Sequence, residues 1–193
     1  KIDCDFKRVD SYLYSLKQED CLWEEFKIAK KLGISACFTK RTELPFCVKG
    51  ALRFSHQAMM NPVKFMKAIA EKLNIIEHCR VMKVKNHFVV SEKGEFYADK
   101  IIIATHFPIR NVPGFYFMRQ HQEKSYVFAL KNSKNMEHMY YSIEQDGFSF
   151  RSYQDYLLVG IKGKRNYERN IEEKIQTFIK KYMPNASIAS SWI

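Results

Sequence analysis

No apolar run in the 193-residue sequence approaches the ~20 residues needed to cross a bilayer. Nor does a charged-then-apolar leader open it, so neither a signal peptide nor a membrane anchor is expected. Among the five cysteines (Cys4, Cys21, Cys37, Cys47 and Cys79) there is no CxxC pair. Zinc-binding and thioredoxin-type chemistry therefore have no support. An odd number of thiols at irregular spacing reads as reduced, buried cysteines of a cytoplasmic protein. Internal repeats and low-complexity segments are absent too. What remains is a globular composition, 46% hydrophobic and 15% aromatic, long enough for one large domain or two small ones. The sequence starts at Lys1 rather than Met and stops on "ASSWI", which reads as a stretch of something longer.

Thirty-two Lys and Arg against 21 Asp and Glu give a net charge of +11. A nucleic-acid footprint would gather that charge on one face or stripe. Here it is spread along the chain, and the densest cluster, "GIKGKRNYERN" at 160–170, contains a glutamate. Scattered, solvated lysine is the plainer reading, and no nucleic-acid partner is expected. A basic RNA- or anion-binding module without catalytic activity, using aromatic residues on a sheet, stays open as the rival.

Periodicity organises the chain into alternating strands and helices. "DFKRVDSYLYSL" (5–16) alternates Val9, Ser11, Leu13 and Ser15 against Tyr12 and Tyr14, as a strand does. Apolar residues at 22, 23, 26, 29 and 32 predict a helix that Gly33 stops. "NPVKFMKAIAEKL" (61–73) predicts another, with Asn61 placed as cap, Pro62 at the first helical position, and Val63, Met66, Ile69, Ala70 and Leu73 on one face. Strands are predicted at 79–85, 87–91 and 100–105, with a turn at Lys93-Gly94. Four more follow at 125–130, 138–144, 148–153 and 156–161. A last helix over 167–183 puts Ile171, Ile175, Phe178, Ile179 and Tyr182 on one face before Pro184. The interleaving points to two sheets visited alternately by one chain.

Residues 99–108, "DKIIIATHFP", run from β-branched residues into small and polar ones, the pattern of a buried strand. Open α/β sheets bind ligands at the carboxyl ends of such strands. The ordered set "NPVKFMKAIAEKL", "EHCRVMKV", a hairpin, "ADKIIIATH", a strand with tyrosine and "LLVG" resembles the FAD-dependent oxidoreductases of the glycine oxidase and D-amino-acid oxidase superfamily, over residues 50–193. The resemblance implies that the strand containing Val81 and Met82 brackets the adenine of FAD through its main chain. It likewise implies that Ala104 and Thr105 are the small pair beside the pyrophosphate. His106 stands where glycine is frequent, either bonding phosphate or capping a turn. On the substrate side it implies that Arg151, with Tyr126, Tyr140 and Tyr141 on neighbouring strands, holds a carboxylate, as the guanidinium fork favours. "LLVGIKGKR" departs from the glycine-rich loop of some relatives, so no role is carried over to it.

The implied fold is α+β: a mostly antiparallel substrate-domain sheet with flanking helices, plus part of a Rossmann-like FAD-binding domain. Residues 1–60 and 116–193 would form the substrate-binding domain, and 61–115 the partial FAD-binding one. The implied function is oxidation of a small-molecule amine or amino acid by hydride transfer to flavin, in partnership with the rest of its own polypeptide. A nicotinamide-linked flavin reductase, sharing only the "IIIAT" strand, is the other flavoenzyme reading. GxGxxG, the turn that seats the pyrophosphate on a helix N-terminus, is nowhere in the 193 residues. FAD is therefore expected in the full-length protein, with this stretch alone inactive and holding it weakly or not at all.

Overall fold

The computed structural model describes residues 1–107, 109, 114–120, 123–162 and 170–193. They fall into two compact units, one of Asp3–Asn61 with Glu123–Ile193 and one of Lys1–Ile2 with Pro62–Gln122. The first is built on an eight-stranded sheet. Its strands are β1 (Lys7–Ser15), β2 (Ala36–Thr39), β3 (Gly50–Met59), β7 (Ser125–Lys131), β8 (Met139–Ser142), β9 (Phe148–Tyr153), β10 (Tyr156–Lys162) and β11 (Ser187–Trp192). They lie in the order β11-β7-β10-β9-β8-β1-β3-β2. Every pairing is antiparallel except β1 with β8, which run parallel down the middle. This is the mostly antiparallel sheet with few helices that the sequence implies.

Because side chains alternate across a strand, each strand commits its two sets of residues to opposite faces. On one face Tyr12, Tyr14, Phe128, Leu130, Tyr140, Phe150, Leu157 and Val159 are buried. Helix α3 (Ile171–Tyr182) covers them with Ile171, Ile175, Phe178 and Ile179, the stripe its spacing predicts. Residues 167–169, where that helix is predicted to begin, lie outside the described residues. On the other face helix α1 (Asp20–Lys31) sets Leu22 and Ala29 against Ala36 and Leu52, at the β1-β3-β2 end only. It ends where expected: Gly33 takes a φ of +70°, a left-handed value that a side chain would strain. Asp20 in the first turn and Lys30 and Lys31 in the last complement the helix dipole.

Two carboxylates pin loops to the sheet. Glu144 accepts hydrogen bonds from Ser15 Oγ (2.7 Å), the Leu16 amide (3.0 Å), the Lys17 amide (3.3 Å) and the Ser142 hydroxyl. Gly147 must lack a side chain here, since a Cβ would collide with Ser142. Glu43 accepts from the amides of Glu137 (3.0 Å) and His138 (3.2 Å) and from Tyr140 Oη (3.1 Å).

The second unit contains helix α2 (Pro62–Ala70) and a three-stranded antiparallel meander of β4 (Val81–Val84), β5 (Phe88–Ser91) and β6 (Gly94–Tyr97). The turn at Lys93-Gly94 forms, with Gly94 at φ +118° and Ser91 Oγ donating to the Gly94 carbonyl at 2.9 Å. Residues 100–105 are a correction. They form no strand or helix, and Ile102 is 89% exposed. β-Branched residues become a strand only when a neighbour offers a ladder, and no described strand pairs with this run. The predicted apolar face of α2 is only partly covered: the helix has no buried residue, Ile69 and Ala70 are half-buried, and Val63 and Met66 are each 61% exposed.

Candidate functional site

Away from α1, the second face of the large sheet carries no helix of its own unit among the described residues. The residues of β7, β8, β9 and β10 that point there are Val127, Ala129, Lys131, Met139, Tyr141, Ser149, Arg151, Tyr153, Tyr156, Leu158 and Gly160, by alternation from the buried set. Two adjoining hollows form on this floor. One, of about 380 Å³, lies toward Lys131, Tyr153 and Tyr156; the other, of about 430 Å³, lies toward Met139, Tyr141 and Ser149. Arg151, Leu158 and Trp192 line both. The floor is kept low by Gly160, which stands opposite Ser149 in the ladder and whose Cβ would meet the Ser149 hydroxyl.

Arg151 sits half-buried where the hollows meet, paired across the ladder with Leu158. Its chain neighbours Phe150 and Ser152 are buried on the opposite face. Among the described residues no carboxylate lies within ion-pair distance of its guanidinium. Two residues on, the Tyr153 hydroxyl donates to Asp5 Oδ2 at 2.8 Å and accepts from Asn61 Nδ2 at 2.7 Å, which fixes the ring at the rim of the first hollow.

The four side chains expected to gather around substrate divide between the faces. Arg151 and Tyr141, the latter 56% exposed, share the open one. Tyr126 and Tyr140 lie on the other one: they are 8% and 2% exposed and belong to the core under α3. Burial pushes the Tyr140 phenol well above its ordinary pKa, and its hydroxyl is committed to Glu43. The Tyr126 hydroxyl is buried without a partner among the described residues. Lys131, Tyr153, Gly160 and Trp192 were not singled out by the sequence pattern. Period-two spacing on β9 and β10 would have found Tyr153 and Gly160, whereas Lys131 and Trp192 reach the site only through strand order.

The residues expected to meet FAD lie in the smaller unit. β4 is an outer strand of the meander, with an irregularity between Val81 and Lys83 that sets Met82 apart from the ladder. Val81 and Met82 are 39% and 62% exposed. An outer strand keeps a row of N–H and C=O groups that its sheet does not use. Ala104, Thr105 and His106 are exposed and lie outside any strand or helix. Their small side chains at 104 and 105 leave the backbone open to close approach.

No group of three metal-ligating side chains occurs among the described residues, and no helix is long and apolar enough to cross a membrane. The basic cluster at 160–170 lies mostly outside them, at residues 163–169.

Comparison with known proteins gives a consistent picture. Over 163 residues the chain is 29% identical to the Bacillus subtilis (strain 168) protein YhfW, which is named as a Rieske 2Fe-2S iron-sulfur protein; the match takes in 78% of this chain and 32% of YhfW. The fold superposes on glycine oxidase from Geobacillus kaustophilus with a TM-score of 0.72 and 13% identity, over 99% of this chain and 59% of that one. For L-proline dehydrogenase from P. horikoshii the figures are 0.68 and 14%, over 98% and 60%. The chain thus spans about three fifths of those structures and a third of YhfW. At such identities the structural likeness speaks to fold. The model of the DAO family, described as FAD dependent oxidoreductase, matches residues 1–193. The chain belongs to the DAO family of FAD-dependent oxidoreductases.

Proposed function

We propose that this chain supplies the substrate floor of an enzyme that oxidises an amine or amino acid, and that Arg151 holds the substrate carboxylate. The observation that carries the reading is the position of Arg151: half-buried, without a carboxylate partner among the described residues, at the junction of two hollows on an open sheet face. A guanidinium forms two parallel hydrogen bonds to a carboxylate, which fixes orientation as well as affinity. Tyr141 beside it adds an aromatic wall, and Gly160 leaves room at the floor.

The larger unit serves as substrate-binding domain and the smaller one as part of the FAD-binding domain. Val81 and Met82 meet the adenine through main-chain groups, and Ala104, Thr105 and His106 lie toward the pyrophosphate. When bound, FAD would supply the acceptor for the hydride, one proton with two electrons, that leaves the substrate C–H. The chain's own residues hold and orient the substrate and keep water from it.

In the full-length protein, Arg151→Lys keeps the charge and loses the fork. A lost charge-assisted contact is worth about 1.5–3 kcal/mol, so the Michaelis constant for the amine substrate rises roughly ten- to a hundredfold. Flavin content, read from absorbance after purification, stays at the parent level. A variant that turned over substrate like the parent would make Arg151 an ordinary strand residue.

A further inference from the structure

Arg151 is not the only unpaired cation on this floor. Lys131, at the end of β7, lines the same 380 Å³ hollow, and its Nζ lies 5.6 Å from the centre of the Tyr156 ring. Among the described residues it has no carboxylate within ion-pair distance. The ladder fixes the geometry. Arg151 stands beside Leu158, Leu158 stands beside Ala129, and Lys131 is two residues beyond Ala129 on the same face. With strands ~4.8 Å apart and ~3.4 Å per residue, the two Cα atoms are about 12 Å apart. Both side chains are long, and the small Ala129 and apolar Leu158 between them leave the space open. Both side chains line the one hollow, and the span between their strands is one that a short dicarboxylic chain can bridge. The volume suits a small ligand.

Two like charges lining one concavity disfavour each other, and a single carboxylate neutralises one of them. A molecule with two anionic groups answers both. We infer that the hollow between Arg151 and Lys131 takes a dicarboxylic substrate, an acidic amino acid or dicarboxylic amine, with the second carboxylate at Lys131. This rests on the reading of Arg151 as the first carboxylate site. Tyr156 holds the lysine over the wall by a cation–π contact. Trp192 and Tyr153 also line the hollow, so aromatic surface is available to the carbon chain between its two charges.

The test is calorimetric titration of the full-length holoenzyme with acetate, succinate and glutarate, in ~0.15 M salt so that long-range attraction to the basic protein is screened. A dicarboxylate should bind at least tenfold tighter than acetate. Lys131→Ala should bring the dicarboxylates down to the acetate level, whereas Arg151→Ala should weaken all three. If the parent binds acetate and dicarboxylates alike, or if Lys131→Ala keeps the preference, the second site is overturned while the Arg151 reading stands. If Arg151→Ala leaves acetate binding unchanged, the Arg151 reading falls and this one with it. No binding of any probe overturns both. Lys131 is exposed at the end of its strand, and the cooperativity of thermal unfolding in the variant confirms that it folds.

Discussion

Glu144 shows how one side chain ties sheet to loop. Burial pushes its carboxyl pKa up, but the hydroxyls of Ser142 and Ser15 and the Leu16 amide outweigh that and hold it below the ordinary carboxylate range. A depressed folded-state value means stabilisation present above the unfolded carboxylate pKa and lost as pH falls through the folded one. Glu144→Gln should cost about 1–2 kcal/mol at neutral pH, the loss of charged acceptors discounted for partial exposure. Urea midpoints of parent and variant should converge as the pH is lowered below the carboxylate range. A gap of constant size across pH would show that the charge plays no part. Tyr14, beside it, has its phenol pushed well up by burial and donates to the Phe148 carbonyl at 2.8 Å, so it stays neutral throughout that range.

Among the helices, α3 and α2 present the same kind of apolar stripe and differ in what meets it. Ile175 in α3 is fully buried, and Ile175→Ala should cost about 2–5 kcal/mol. Met66 in α2 is 61% exposed, and Met66→Ala should stay within about 0.5 kcal/mol. Denaturant curves of the two variants of this chain check the contrast, and equal losses would contradict it. That contrast marks where the sequence is readable. Long periodic segments such as α3, β1 and β10 announce themselves because burial repeats along one element. β2, β6 and β11 do not, being two four-residue strands, "ACFT" and "GEFY", and the serine-rich "SIASSW". Their status comes from partners, and partners are tertiary facts. The "IIIATH" run is the converse, a strand pattern that pairs with no strand among the described residues. At the candidate site, the resemblance is what points to Arg151, and alternation with Phe150 and Ser152 puts it on the open face. The same rule argues against the tyrosines as a set, since Tyr140 and Tyr141 are adjacent on β8 and must face opposite ways.

For the molecule as a whole, the distribution of core is uneven. Every buried apolar side chain among the described residues belongs to Asp3–Asn61 or Glu123–Ile193, while in Pro62–Gln122 the one buried residue is Ser91. Backbone hydrogen bonds without a core beneath them open easily. Hydrogen exchange on this chain should find β1, β9 and β10 strongly protected, and β4, β5 and β6 exchanging orders of magnitude faster. Equal protection in β5 and β10 would overturn that expectation. With core distributed so unevenly, one unfolding midpoint need not hold for both units, and the curves are read for two transitions.

The parallel pairing of β1 with β8 has a consequence in time. Ser11 meets Met139 across that ladder, so closing it ties together roughly 130 residues of chain, and such non-local pairings are slow to form. A ribosome has released β1, β2 and β3 long before β8 exists. Until then β1 waits with one edge bare, holding Tyr12 and Leu13 in an unfinished three-stranded sheet, a template for any other strand that passes. The seam between β1 and β8 joins the two neighbouring strands of this sheet that lie farthest apart in the chain, so it cannot close before β8 has emerged.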